Sequence, residues 1–445
     1  MSVDEGVNVI LIAIDTLRAS HLSCYGYEKS TSPNIDKLAS EGVLFSNCFA
    51  PAIPTHPAFT TILTGVHPLT HRIVCHAGKV DLSPFIPLVT EILRDRGYVT
   101  AAVDNLVRTG RFARAGWFAR GYDYYLNPGG ITVISKGVKV NADKVNSLAT
   151  WFLDWFHERH GDKRFFLFLH YWDPHAPYLP PEEYIDRFYK GDPTEGDLEG
   201  RLKKTLWGRE ACLKGWLGRL IREKGIRDKA YVDASYDAEI AYVDERVGQL
   251  LRKLEELGIE DDTLVILTSD HGEGLGDNDV YYDHHGLYDW DIRVPLIMRF
   301  PQRLPKGARV DALVQQTDIV PTILEIAGIP IPEYISGRSL LSIFDKEWRG
   351  YSAIYTMENT RMTKRAIRTR RWKLIEAIRP DIYGRPAGHL ELYDLSKDPE
   401  EKENLTDTDE DLALSLLGRL EKWYRATLKG KGDPLIEQEI SLPLE

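Results

Sequence analysis

Two runs of apolar residues frame the chain. Asn8-Val-Ile-Leu-Ile-Ala-Ile-Asp15 and Thr263-Leu-Val-Ile-Leu-Thr268 carry aliphatic and β-branched residues without polar alternation, and each gives way to acidic residues, Asp15 in one and Asp270 in the other. Such runs predict strands buried on both faces of a largely parallel sheet sandwiched by helices. Further strands are expected at Val43–Ala50, Tyr98–Val103, Arg164–His170 and Arg293–Phe300. Between them the spacing predicts helices from Pro33 to Gly42 behind the N-cap Ser32, from Pro57 to Gly65, and over Ile86–Gly97, Asn141–His160, Lys229–Leu257 and Thr317–Gly328. Near residue 346 the pattern changes. Arg365–Ile375 and Leu390–Leu395 alternate polar and apolar positions, as antiparallel strands do, and a helix from Asp409 to Leu428 follows. Two units are therefore expected, an α/β domain over 1–345 and a smaller antiparallel α+β subdomain over 346–445. The charged stretch 181–229 is read as a helical insertion that could cap a site. The Arg368, Arg370 and Arg371 cluster is read as a solvated strand face.

Composition narrows the function classes. With 445 residues, 43% of them hydrophobic, the chain can bury a sizeable core. A net charge of -11 without a basic run argues against nucleic-acid binding, which needs a positive phosphate-facing surface. Val7–Ile14 is too short to span a bilayer and follows Asp4 and Glu5, so it resembles neither a signal peptide nor an anchor, and a cytoplasmic protein is expected. Cys24, Cys48, Cys75 and Cys212 form no C-x-x-C pair and read as buried free thiols.

The chemistry gathers where strands end. Open α/β sheets place ligands at the carboxyl edge of their strands, and there Asp270 and His271 present an oxygen and a nitrogen donor able to share a divalent cation, with Asp15 a candidate third. An ordinary turn capped by Asp270 competes with this reading of the stretch taken alone. In Pro51-Ala-Ile-Pro-Thr-His-Pro-Ala-Phe59, Thr55 falls at a helix N-terminus, where unpaired N–H groups and the dipole favour an alkoxide or a bound anion, although threonine also serves there as a plain cap.

Six motifs in order, Asp15-Thr-Leu-Arg-Ala-Ser-His-Leu-Ser-Cys-Tyr-Gly26, Leu63-Thr-Gly65, Asp173-Pro-His-Ala-Pro-Tyr178, Thr268-Ser-Asp-His-Gly-Glu273, Arg293-Val-Pro-Leu-Ile297 and Glu391-Leu-Tyr-Asp-Leu395, resemble the sulfatases of the alkaline phosphatase superfamily. The resemblance implies that fold and a small-molecule or headgroup ester substrate. It places one metal among Asp15, Thr55, Asp270 and His271, and His175 near the leaving-group oxygen. His285, or less well His284, would face the anionic oxygens. His76, Asn105 and His170 fall among substrate-contacting positions, although a loop histidine without such a role fits His76 equally.

Departures from the family bear on the chemistry. Sulfatases carry Cys or Ser followed by x-Pro-x-Arg and convert that residue to formylglycine. Here Thr55-His-Pro-Ala-Phe59 offers neither the modifiable residue nor the arginine, and Asn105 stands where many members hold a lysine. A threonine ester of sulfate would have to be hydrolysed directly at sulfur, whereas a phosphothreonine can be attacked in line by activated water. The expectation is a hydrolase of phosphate diesters or phosphonate monoesters without formylglycine. The alternatives are a sulfate-ester hydrolase that manages without it and a catalytically silent binding homologue. Because Thr16 replaces an acidic position and His271 brings nitrogen, Mn2+ or Zn2+ is expected over Ca2+. A second metal cluster of the kind the superfamily's mutases use is not evident in the sequence, and the sequence leaves the oligomeric state open.

Overall fold

The structure, a computed structural model, describes residues 6–76, 78–107, 115–129, 140–161 and 163–439. Residues 440–445 of the expected subdomain lie outside them. In chain order the strands are β1 (Asn8–Ile14), β2 (Val43–Phe49), β3 (Ala52–Ile53), β4 (Val99–Val103), β5 (Tyr124–Leu126), β6 (Phe165–Tyr171), β7 (Thr263–Thr268), β8 (Gly274–Asp277) and β9 (Val280–Asp283). They continue with β10 (Arg293–Val294), β11 (Leu296–Arg299), β12 (Ala308–Gln315), β13 (Ala353–Asn359), β14 (Thr363–Thr369), β15 (Trp372–Ala377) and β16 (Leu390–Asp394).

The larger sheet runs β10-β2-β11-β7-β1-β6-β4-β5, with β12 also paired to β2. Every residue of β1, β6 and β7 is buried, as unbroken apolar runs demand of strands covered on both faces. Both neighbours of β1 run parallel to it, and the register sets Ala13 beside His170 on one side and Thr268 on the other. Three strands therefore end level, and Asp15, Trp172 and Asp270 leave the same edge of the sheet. Two expected features differ. The strand Arg293–Phe300 is broken at Pro295, which cannot donate to a ladder, and its halves pair antiparallel with β2 and β7. The strand β12, whose Arg-Val-Asp-Ala-Leu-Val run alternates only in part, was not among the expected elements.

The second sheet runs β16-β15-β14-β13-β3. The expected single strand Arg365–Ile375 is a hairpin turning at Arg370 and Arg371, and Arg368 is buried rather than solvated. Its guanidinium meets Asp289 at 3.0 Å and lies over the Phe49 ring, so charge and apolar surface are both satisfied inside. At the other edge β3 joins β13 in parallel, with Ala52 opposite Met357 and Ile53 opposite Glu358. The smaller sheet thus includes the two residues that lead to Pro54 and Thr55.

The stretch 181–229 contains the helices Glu182–Phe188, Leu198–Lys204 and Trp216–Lys224, with a π-turn over Gly208–Cys212. All four cysteines are unpaired, three of them buried and Cys24 partly exposed. Among the described residues, no helix is long and apolar enough to cross a membrane.

Candidate active site

The level ends of β1 and β7 deliver two buried carboxylates and an imidazole to one point. One ligand atom from each of Asp15, Asp270 and His271 lies within 4.8 Å of the others, and His271 Nε2 stands 3.2 Å from Asp270 Oδ2. Local structure fixes the remaining valences. Thr16 takes a positive φ of 57° so that its N–H reaches Asp270 Oδ1 at 3.1 Å, and the Tyr236 hydroxyl donates to the Thr16 carbonyl at 2.7 Å. His271 Nδ1 is bonded to the Gly272 carbonyl at 2.9 Å, which leaves Nε2 facing inward. Asp15 Oδ1, Asp270 Oδ2 and His271 Nε2 are all buried without a hydrogen-bond partner.

Three orphaned donors converging in a dry site are what a divalent cation satisfies, and an oxygen–nitrogen set with a neutral imidazole suits a transition ion. The electrostatics agree. Burial pushes the His271 imidazole well below its usual value, with His284 adding to the effect, so it stays a neutral ligand. Burial and then the neighbouring Asp15 charge push Asp270 well up, whereas the imidazoles of His175 and His170 outweigh burial and hold Asp15 near 2. Without a cation the two carboxyls resist ionising together.

His170 lies sealed behind this cluster. Its Nδ1 meets Asp104 at 2.7 Å and its Nε2 meets Asp15 at 3.1 Å; against the cost of burial these two carboxylates lift its pKa to about 9. Phe59, at the arginine position of the resemblance, is fully buried with its ring 4.6 Å from that of His170. Asn105 accepts a 2.6 Å bond from Trp172 Nε1. His170 is fully buried with both ring nitrogens bonded to carboxylates, and Asn105 is buried with its Nδ2 left without a hydrogen-bond partner.

In front of the cluster opens a cavity of about 440 Å³, lined by Thr55, His76, His175, His284 and His285 among others. Thr55 is the first residue of the helix Thr55–Thr64, whose N-cap is Pro54. That helix ends at Gly65, where φ is 67° and a Cβ would come within 2.9 Å of Val320 Cβ. The cavity meets the metal-ligand cluster through His284, whose ring lies 4.2 Å from that of His271. Glu273, Asp283, Cys212, Trp216, Tyr282 and Arg361 complete much of the wall, and none of them was a candidate from sequence. Glu273 follows Asp270-His271-Gly272 directly and could have been found from that adjacency. Arg361 could not, because it reaches the cavity from beyond β13. The wall carries cations of its own, Arg361 and also His284, which Glu273 and Asp283 hold at about 10 against the effect of burial. The insertion supplies Cys212 and Trp216, which makes it part of the wall.

A mostly parallel sheet whose strand ends hold an acid, acid and imidazole cluster under a small cavity, with an antiparallel subdomain attached, defines an ester hydrolase of the alkaline phosphatase superfamily. The sulfatase description matches residues 7–329, and a second, for the C-terminal region of N-sulphoglucosamine sulphohydrolase, matches residues 277–425. The chain belongs to the sulfatase family. It is 27% identical over 478 residues to the N-acetylglucosamine-6-O-sulfatase of Bacteroides thetaiotaomicron, covering 89% of this chain and 82% of that protein. Its fold matches a structure in complex with D-glucosamine-2-N,6-O-disulfate, at a TM-score of 0.75 and 23% identity over 96% of this chain and 99% of the other. The phosphonate monoester hydrolase of Agrobacterium radiobacter shares the fold at a TM-score of 0.73 and 24% identity, over 95% and 96% of the two chains.

Proposed function

We propose that the protein hydrolyses phosphate diesters or phosphonate monoesters with Thr55 as its nucleophile. Both sulfate- and phosphonate-ester hydrolases share this fold, so the fold does not choose between them and the residues must. The observation that carries the reading is Thr55 on the cavity wall, at the start of its helix, while the neighbouring Phe59 turns its ring into the core against His170. A threonine cannot become formylglycine, and Phe59 and Asn105 lack the arginine and lysine that the resemblance would place against a doubly charged ester, which favours a singly charged one.

Asp15, Asp270 and His271, with the Thr55 hydroxyl, would hold one divalent ion, Mn2+ or Zn2+, which when bound supplies a Lewis acid that lowers the pKa of the threonine and screens the ester's charge. The helix N-terminus stabilises the Thr55 oxygen as it loses its proton. Thr55 Oγ then forms a bond to phosphorus as the ester P–O bond breaks in line, and His175 gives a proton to the departing oxygen. Water next attacks phosphorus as the Thr55 Oγ–P bond breaks, the His175 imidazole takes the proton of that water, and the threonine oxygen regains from solvent the proton it released on activation. His284, His285 and Arg361 face the anionic oxygens. His170, clamped by Asp104, keeps Asp15 aimed at the ion site.

A panel of nitrophenyl esters tests this with metal-replete wild type and Thr55→Ala. The diester or phenylphosphonate is expected to react fastest, and Thr55→Ala to lose roughly 10³-fold, about 4 kcal/mol. Unchanged turnover by Thr55→Ala would reduce Thr55 to a helix cap. The sulfatase relatives favour a second reading, sulfate-ester hydrolysis without formylglycine, and sulfate as the best substrate would select it.

A further inference from the structure

The hairpin β8–β9 brings a second set of donors to the cavity. It sets Gly274 opposite Asp283, so Glu273, which precedes one strand, and His284, which follows the other, are brought together. One ligand atom from each of Asp283, His284 and His285 lies within 4.8 Å of the others. His285 Nε2 stands 3.3 Å from Asp283 Oδ1, and His284 Nδ1 stands 3.8 Å from that oxygen and 3.5 Å from Glu273 Oε2. Ligands bonded at about 2.1 Å to a tetrahedral ion lie roughly 3.4 Å apart, and these separations are close to that spacing. Glu273 is 1% exposed and lines the cavity; its Oε2 faces His284 Nδ1, and its Oε1 is buried without a hydrogen-bond partner.

We propose a second divalent-cation site on the cavity wall, formed by Asp283, His284, His285 and Glu273. Two imidazoles and two carboxylates suit Zn2+ or Mn2+. Arg361 does not fill the place. Its Nε lies 3.9 Å from Asp283 Oδ2 with the guanidinium over the Trp207 ring, which leaves Oδ1 for the ion. The site adjoins the first through the 4.2 Å contact of the His284 and His271 rings, and paired cations of this kind stabilise the attacking and leaving oxygens of an in-line displacement. Its ligands stand on the donors alone. Its role, supplying the charge missing at Phe59 and Asn105, rests on the function proposed above.

The test counts ions on the full chain. Protein saturated with Zn2+ and desalted is analysed by mass spectrometry of its metal content, alongside Asp283→Asn, His285→Gln and Asp15→Asn. Wild type is expected to hold two ions per chain and each variant one. A cobalt titration of wild type, read by its visible absorption, is expected to end at two equivalents and needs no variant to fold. One equivalent in wild type overturns the site, as do two ions retained by both Asp283→Asn and His285→Gln with native circular dichroism. Two ions bound by a protein in which Thr55→Ala turns over normally would refute the nucleophile and leave the second site standing. One ion with rapid Thr55-dependent diester hydrolysis would do the reverse.

Discussion

Glu391 offers a perturbation whose magnitude can be worked out from the structure. Its carboxylate is 2% exposed and accepts from Lys364 Nζ at 3.0 Å, Tyr288 Oη at 2.7 Å and Tyr393 Oη at 2.9 Å, with Arg385 Nη1 at 2.7 Å. Burial alone would raise its pKa, but Lys364 and Arg385 outweigh it and hold the folded value near 2 against 4.5 for a free glutamate. At about 1.4 kcal/mol per pKa unit the ionised form gains roughly 3 kcal/mol on folding. The folded pKa is depressed, so this stability is fully present above about pH 4.5 and is lost as pH falls through about 2. By the same linkage about 2 kcal/mol of it remains at pH 3.5. Glu391→Gln keeps the shape and removes the charge, leaving Lys364 with Asp381 at 3.6 Å. Urea unfolding followed by tryptophan fluorescence should find the variant roughly 3 kcal/mol less stable at pH 7 and about 2 kcal/mol less stable at pH 3.5. A difference under about 1 kcal/mol at pH 7, or one independent of pH, would refute the reasoning. Because Tyr288 lies three residues after His285, the loss should also loosen the histidine wall of the cavity.

Three further outcomes are expected. Asp104→Asn removes the charge that orients His170 and through it Asp15, and metal affinity measured by competition with a chelating dye should fall roughly 10- to 100-fold. Trp216→Ala opens the wall that the insertion supplies, so KM for nitrophenyl esters should rise several-fold while kcat changes less; an unchanged KM would place the leaving group elsewhere. Gly65→Ala, at φ 67° and with Val320 Cβ at 2.9 Å from the new methyl, should lower stability by about 1–3 kcal/mol in thermal unfolding.

The convergence of Asp15, Asp270 and His271 was legible because it depends on strand ends. Apolar runs of β1 and β7 can only be interior strands, their acidic successors must then leave the same edge, and parallel register does the rest. What sequence periodicity could not convey is how the second sheet attaches. Arg365–Ile375 alternates as one strand would, and nothing in its pattern marks the turn at Arg370 or the burial of Arg368 against Asp289. Motif position could not convey that Asp104 and Asp15 grip the His170 ring or that Trp172 donates to Asn105 Oδ1.

The pairing of β3 with β13 ties the subdomain to the wall of the cavity. Ala52 and Ile53 are its edge strand, the Thr356 hydroxyl bonds the Ala50 carbonyl at 2.9 Å, and Glu358 receives the Gly286 N–H at 2.8 Å. One strand therefore holds the approach to Thr55 on one side and the loop of His284 and His285 on the other, and Arg361 follows it two residues later. Displacing β13 would move Thr55, the histidine wall and the arginine together. The α/β domain alone would keep Asp15, Asp270 and His271 while losing the strand that sets Thr55, His284 and His285 around the cavity.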